Sequence, residues 1–376
     1  MQKQFLRLSP GPMFILIAFL AGPWLLLPGP ALTVSADSAG RVVRTGNTVE
    51  PRFDHTAILL PDGKVLIAAG MARNGVIDPT AEIYDPHTRQ FVSVGKMRAP
   101  RGWGVTATLL PDGRVLLAGG ASASYCGVSC YLANAELYDP VSRTFSLAGD
   151  MTGPRAGASS ILLQNGDVLI VGGNEESGSE KAATAELYHP STRKFSGTGS
   201  MHSGGASALL LMKNGKVLAL NDAGGEIYDP ETGRFSVAVH ASFAREKFGV
   251  ALLPDGRSLI AGGRMGGAWR PGTDTTEIYD PNTGALTPGP QMSLSRFKLR
   301  KAVVPLGEGR VLIAGGAKQP EVYDAASNSF HTVTGSRLDC FYFSTATRLS
   351  DGEVLIVGGY ARPGGAAVNH AWLYQP

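Results

Sequence analysis

Short, continuously apolar runs recur along the chain at intervals near 50 residues. Val65-Leu66-Ile67-Ala68, Val115-Leu116-Leu117-Ala118 and Val168-Leu169-Ile170-Val171 are three of them, and Ser258-Leu259-Ile260-Ala261 is a fourth. Weaker copies begin at Val217, Val311 and Val354. Each run follows a two-residue turn signal: Asp62-Gly63, Asp112-Gly113, Asn165-Gly166, Asn214-Gly215, Asp255-Gly256, Glu308-Gly309 or Asp351-Gly352. Gly takes positive φ at low cost and Asn and Asp tolerate it, so each copy predicts a strand, a tight turn and a second strand. An apolar run without alternation suits a strand covered on both faces. Most copies end in a Gly pair, as at Gly119-Gly120 and Gly172-Gly173, where backbones approach closely or turn sharply.

A second pattern follows each copy. A Glu, an aliphatic residue, a Tyr and then Asp-Pro or a close variant start at Glu82, Glu136, Glu186, Glu226, Glu277 and Glu321. The Tyr is present in all seven copies, at Tyr84, Tyr138, Tyr188, Tyr228, Tyr279, Tyr323 and Tyr374. Asp can hydrogen-bond its own backbone and Pro presets φ, so Asp-Pro reads as a turn. The aromatic beyond it (Phe91, Phe145, Phe195, Phe235 and Phe330, with Leu286 in the fifth copy) marks a fourth strand. The chain therefore predicts seven units of four antiparallel strands, A to D, and a period of this length repeated seven times is the mark of a repeat architecture.

With one Gly pair and one Tyr per unit, the pattern resembles the kelch repeat, over nearly everything after residue 40. The resemblance implies an all-β fold, a seven-bladed β-propeller of four-stranded antiparallel blades. Kelch proteins usually carry Trp on strand D, and this chain carries mostly Phe. The ends of the chain also fit each other. Gly40–Gly46 aligns with the strand D segment Arg89–Gly95, yet no strand A, B or C precedes it. The chain stops at Tyr374-Gln375-Pro376, a strand C with no strand D after it. The N-terminal strand is therefore expected to complete the last blade and close the ring, which leaves no open seam.

The first 36 residues lie outside this pattern. Lys3 and Arg7, the apolar stretch Met13 to Leu27 and the small residues Val34-Ser35-Ala36 read as a secretory signal peptide. Pro23, Pro28 and Pro30 interrupt the apolar stretch, which falls short of a comfortable span of about 20 residues. The expected organisation is a signal peptide over 1–36 and a propeller over 37–376, secreted or periplasmic, monomeric, and without membrane attachment after cleavage. Loss of Lys3 and Arg7 lowers the formal charge from +3 by two, to +1. Such a chain is not globally basic, and nucleic acid is a poor fit as partner.

Antiparallel order places the A–B and C–D turns on one face and the D–A and B–C loops on the other. The first set is nearly uniform and the second varies, and variable loops of repeat proteins gather on the binding face. Basic residues collect on the variable face in blades 5 to 7: Arg245, Lys247, Arg264, Arg270, Arg296, Lys298, Arg300, Arg337 and Arg362. Arg52, Arg101, Arg155 and Arg245 each stand just before strand A, so they read as part of the repeat. Arg264, Arg270, Arg300 and Arg362 fall outside that pattern and are the candidate ligand-binding cations, with Trp103, Trp269, Tyr342 and Tyr360 as candidate aromatic contacts. Arg forks suit carboxylate or sulfate. The six repeated Glu residues read as structural acceptors for backbone N–H groups near the Gly pairs, and Trp372 replaces the seventh.

Cys126 and Cys130 lie in the long B–C loop of blade 2, and a disulfide between them is expected in an exported protein, with Cys340 left as a free thiol. Zinc needs about four ligands and no second Cys pair exists. Galactose oxidase-like copper radical enzymes have a seven-bladed propeller of the same kind. They need a Cys cross-linked to a Tyr, an adjacent Tyr-His pair and a further His in one site. The only adjacent pair here is Tyr188-His189, expected on the face opposite the cysteines. No Ser-His-Asp arrangement is visible. The reading that follows is a binding module for a glycan or protein ligand on the D–A/B–C face, with no metal and no cofactor. The alternative is a carbohydrate-active enzyme, either such a copper oxidase or a sugar mutarotase.

Overall fold

The computed structural model describes residues 39–376 apart from 73–75, 124–129, 174–182, 223, 241–244, 266–270, 340 and 362–364. Seven four-stranded antiparallel blades make up the described part. In blade 1 strands A to D are Thr56–Leu59, Val65–Ala68, Thr80–Asp85 and Gln90–Lys96. The innermost A strands of the other blades are Val105–Leu109, Ser159–Leu162, Ala208–Leu211, Gly249–Leu252, Val303–Gly307 and Thr345–Arg348. Each A strand touches the A strands of both neighbouring blades, and the cycle closes between blades 7 and 1. Among the described residues no helix is long and apolar enough to cross a membrane.

The ring closes through the N-terminal strand. Arg41–Arg44 pairs antiparallel with Ala371–Gln375, with Val42 opposite Tyr374, and so becomes the missing strand D of blade 7. Its other edge pairs in parallel with the short strand Thr334–Gly335. Covering both edges removes an unpaired ladder from the seam.

The core sits between blades. All seven repeated Tyr residues are at most 1% exposed. Each packs on the preceding blade: Tyr138 with Leu66 and Ala68 of blade 1, Tyr228 with Leu169 and Val171 of blade 3, and Tyr84 with Leu355 and Leu373 of blade 7. Burial pushes the Tyr138 hydroxyl up to about 12. The strand D aromatic lies directly across from the Tyr, with ring centroids 4.7 Å apart for Tyr84 and Phe91 and 5.0 Å for Tyr138 and Phe145. Phe in place of Trp therefore fills the same seam.

The Gly pairs let adjacent blades meet. Gly119 has φ +66°, and a Cβ there would lie 2.2 Å from the Arg155 carbonyl oxygen of the next blade. The second Gly donates its N–H across the seam, from Gly120 to Arg155 at 2.8 Å, from Gly263 to Arg296 at 2.8 Å and from Gly359 to Arg52 at 3.0 Å.

Candidate functional site

The loops entering strand A are fixed by a buried ion pair that repeats in five blades. Arg52 meets Glu82, Arg101 meets Glu136, Arg155 meets Glu186, Arg245 meets Glu277 and Arg296 meets Glu321, at 2.7–3.1 Å. The same guanidinium donates to the carbonyl of the first residue of its blade's Gly pair, as from Arg101 to Gly119 at 2.8 Å and from Arg296 to Gly315 at 2.8 Å. The carboxylate also accepts N–H bonds from the D–A loop, at Val49 and Glu50 for Glu82 and at Arg98 and Ala99 for Glu136. The repeated Glu is a structural acceptor, as the sequence reading has it. Its backbone partners lie in the D–A loop, however, and the Arg serves the Gly pair. Arg296 belongs to this set and is no part of a surface basic patch. Burial lowers its guanidinium and Glu321 opposes that.

Two blades depart from the pairing, and both departures are internally consistent. Blade 4 has no such Arg, and Glu226 instead accepts from His202 Nδ1 at 2.8 Å and from the His202 and Ser203 N–H groups. Blade 7 lacks both partners: Phe341 stands at the Arg position, its carbonyl accepting from Gly316, and Trp372 replaces the Glu. A lone buried charge is strongly unfavourable, so the Glu kept in blade 4 takes His202 and Ser203 as partners, while blade 7 loses both charges together.

Two residues beyond the Arg the backbone turns left-handed. Asp54, Lys247 and Lys298 have φ of 55°, 55° and 63°, and Phe343, two beyond Phe341, has φ 57°. In blade 3 the position is Gly157, at φ +80°. A side chain in this conformation costs about 1–2 kcal/mol, which Gly avoids. Arg89, Arg143 and Arg193 adopt it too, in the C–D turns, so the conformation alone marks no site. What distinguishes the four D–A residues is where they stand: all of them line one cavity of about 1250 Å³ at the mouth of the central channel.

Among the described residues the cavity carries one acid, Asp54, and four cations, Lys247, Lys298, Arg300 and Lys301. Lys298 Nζ hydrogen-bonds the Tyr360 hydroxyl and lies 4.4 Å from the ring centroid of Phe343 and 4.9 Å from that of Tyr360. Phe297 and Tyr342 complete this cage at 5.2 and 5.5 Å. Lys247 approaches the same Phe343 ring at 5.9 Å, and among the described residues no carboxylate pairs with it. Arg300 donates to the Ser207 carbonyl at 2.8 Å and the Gly157 carbonyl at 2.9 Å, with Ala206 O at 3.4 Å. Lys301 donates to the His55 carbonyl at 2.9 Å and stands 4.0 Å from Asp54. Burial lowers the Lys301 ammonium; Asp54 opposes this and Arg300 adds to it.

Of the residues anticipated from sequence, Trp103, Arg300 and Tyr360 line the cavity. Tyr342 stands behind them, 5.8 Å from the Tyr360 ring. Arg264 is off the lining and pairs with Glu246 at 2.9 Å. Arg270, Trp269 and Arg362 lie outside the described residues. Cys130 is disulfide-bonded, while Cys126 and Cys340 lie outside the described residues. Lys247 and Lys298 stood unranked among other basic residues, Lys301 was not singled out, and Phe343 carried no signal; the left-handed loop brings Lys247, Lys298 and Phe343 to the mouth.

A Ser-His-Asp arrangement is present after all, on the opposite face. His189 Nδ1 meets Asp167 at 2.9 Å and Nε2 meets Ser196 Oγ at 2.8 Å. The repeat explains it. The equivalent positions hold Lys64 with Asp85 in blade 1 and Lys216 with Asp229 in blade 4, so blade 3 keeps the contact with its basic and acidic residues exchanged. Ser196 is exposed on the outer strand and lines neither the channel-mouth cavity nor the smaller cavity bordered by Gly197 and Thr198.

No protein-family model matches the chain, and no curated protein matches it by sequence. Solved structures do match. One is a fungal alcohol oxidase of the AA5 family in complex with copper, with a TM-score of 0.71 and 17% identity over 90% of this chain and 76% of that one. At that identity the likeness shows the fold, and fold alone does not carry activity. Among the described residues no three His, Cys, Asp or Glu side chains are grouped to hold a metal ion. The imidazoles are engaged separately, His55 with Thr345, His202 with Glu226 and His370 with Asp339.

Proposed function

We propose that this protein is an exported binding module whose channel mouth takes an anionic glycan. The observation that carries the reading is the imbalance of charge at the cavity, four cations against Asp54 among the described residues, with Arg300 bonded to the Ser207 and Gly157 carbonyl groups. Charge-assisted bonds to a carboxylate or sulfate are roughly twice as strong as bonds between neutral groups, so an anionic ligand has partners waiting here. Trp103, Phe343 and Tyr360 add aromatic surface against which a sugar ring can pack. Lys247, next to that surface and without a carboxylate partner among the described residues, favours an acidic sugar over a neutral one.

A panel of acidic and neutral glycans, screened at low and moderate salt, tests this. Acidic sugars should be retained, less so at moderate salt. The double change Lys247→Ala and Arg300→Ala should abolish retention, whereas Lys64→Ala with Arg114→Ala on the opposite face should not. Equal losses from the two pairs would reject the site.

A further inference from the structure

Asp167, His189 and Ser196, on the face opposite the channel mouth, form one hydrogen-bonded row. Asn165 begins it. Its Nδ2 donates to Asp167 Oδ2 at 3.1 Å and its Oδ1 accepts the Asp167 N–H at 3.0 Å, which holds the carboxylate in place. Asp167 Oδ1 lies 2.9 Å from His189 Nδ1, and His189 Nε2 lies 2.8 Å from Ser196 Oγ. A carboxylate only accepts, so Nδ1 of the neutral imidazole carries the ring proton. Nε2 is then the acceptor, and the Ser196 hydroxyl donates to it. In this arrangement an imidazole can take the proton of a serine as its oxygen attacks.

The repeat accounts for the positions but not for the combination. Ser146 and Ser236 occupy the same place in blades 2 and 4, opposite Leu137 and Ile227 as Ser196 is opposite Leu187. Strand C there ends in Asp139 and Asp229, where blade 3 has His189. The A–B turn leads into strand B through Arg114 and Lys216, where blade 3 has Asp167. Blade 3 alone joins a carboxylate, an imidazole and a hydroxyl at these three positions of the sequence.

The backbone supplies a donor beside the hydroxyl. Arg193 donates its N–H to the His189 carbonyl at 2.8 Å and Thr198 donates to the Ala185 carbonyl at 3.1 Å, so the ladder between strands C and D is anchored at both ends. Successive residues of a strand turn their N–H groups to opposite edges. Ser196 therefore faces strand C, as Thr198 does, and Gly197 turns its N–H outward. Lys194–Gly197 is the edge strand of the blade 3 sheet, and Gly197 is exposed. A Cβ there would meet no atom within 4 Å. The residue after Ser196 thus offers an N–H to the carbonyl oxygen of an ester, which gains charge during attack.

We infer that Ser196 is a nucleophile for acyl transfer, with His189 as its general base, a function separate from that of the channel mouth. Ser196 Oγ bonds to the ester carbonyl carbon while its proton passes to His189 Nε2. The bond from that carbon to the alcohol oxygen then breaks, and the alcohol leaves with the proton. Water repeats both steps on the acyl-serine, which releases the carboxylic acid and restores Ser196. Asp167 is a positioning residue that holds the imidazole by Nδ1. Ser196 lines neither described cavity, so a long acyl chain gains no enclosure there, and the substrates are short, unhindered esters such as acetyl esters.

The test treats the intact protein with diisopropyl fluorophosphate, whose phosphoryl group stays on an activated serine as fluoride leaves, and locates the adduct by peptide mass. The adduct is expected on Ser196. Ser236, exposed at the same position of blade 4, is the internal control and should stay unlabelled. His189→Gln should slow labelling of Ser196 about a hundredfold or more. Asp167→Ala should slow it too, and Asp167→Glu should restore part of the rate. Melting curves of these surface variants should match the wild type. In a separate reaction with p-nitrophenyl acetate, the protein should release p-nitrophenolate faster than Ser196→Ala, which keeps the imidazole. Absence of the phosphoryl group from Ser196, equal labelling of Ser236, unslowed labelling in His189→Gln, or equal p-nitrophenolate release by Ser196→Ala would each overturn the inference.

Discussion

Arg296 and Glu321 meet at 2.7 Å inside blade 6, and neither side chain is exposed. The guanidinium also donates to the Gly315 carbonyl at 2.8 Å, and the carboxylate accepts the Ser293 N–H at 2.8 Å. One pair thus joins the D–A loop, the Gly pair and strand C. Lys298, two residues beyond Arg296, is placed at the channel mouth by the same loop.

Breaking one such pair should be costly. Arg101→Ala or Glu136→Ala leaves a buried charge without its partner, so each should lose about 3–5 kcal/mol of stability in a urea titration. Blade 7 suggests the compensated form. Arg101→Phe with Glu136→Trp, which copies Phe341 and Trp372, should lose less than either single change. A double variant less stable than both singles would show that the aromatic pair of blade 7 does not substitute for the ions.

Ring closure gives a second expectation. Removing residues through Gly46 deletes Arg41–Arg44 and exposes the edge of Ala371–Gln375. The shortened protein should melt far lower and aggregate, because an unpaired strand edge templates association. A melting curve matching that of the intact protein would contradict closure by this strand.

Much of the fold was legible because each blade restates it. The Asp-Gly turns, the Tyr and the unmatched terminal strands specify local structure, and these survive in the folded chain with almost no change. The Arg–Glu pairing was present in the same text and was harder to see, since Arg52 and Glu82 are separated by two strands. Its signal is the joint loss of both residues in blade 7. The mouth was less legible still. Lys247, Lys298 and Phe343 are brought together by a positive φ in three different blades, and that backbone feature leaves no mark in composition or spacing.

His55 predicts the pH response. It is fully buried, and burial, then the charges of Arg52 and Lys301, push its imidazole well below the ordinary value. Nε2 meets Thr345 Oγ1 at 2.9 Å, while Nδ1 has no partner among the described residues, so a second ring proton would be unmatched there. The unfolded chain binds a proton at this His below about pH 6.5 and the folded chain does not, so stability falls as pH drops from there. The expected slope approaches about 1.4 kcal/mol per pH unit, above the range in which carboxylates titrate. His55→Gln should flatten urea midpoints between about pH 6.5 and 5. An unchanged slope in that variant would place the response elsewhere.

The most direct test of the channel mouth as an anionic-sugar site is the affinity for galacturonate against galactose, measured at low and moderate salt. These two sugars differ chiefly in one carboxylate, so their difference reports on Lys247, Lys298, Arg300 and Lys301. Galacturonate should bind at least tenfold more tightly at low salt, and the gap should narrow as salt screens the charges. Lys247→Glu should close it. Equal affinity for the two sugars, or a galacturonate preference that Lys247→Glu leaves intact, would contradict the account.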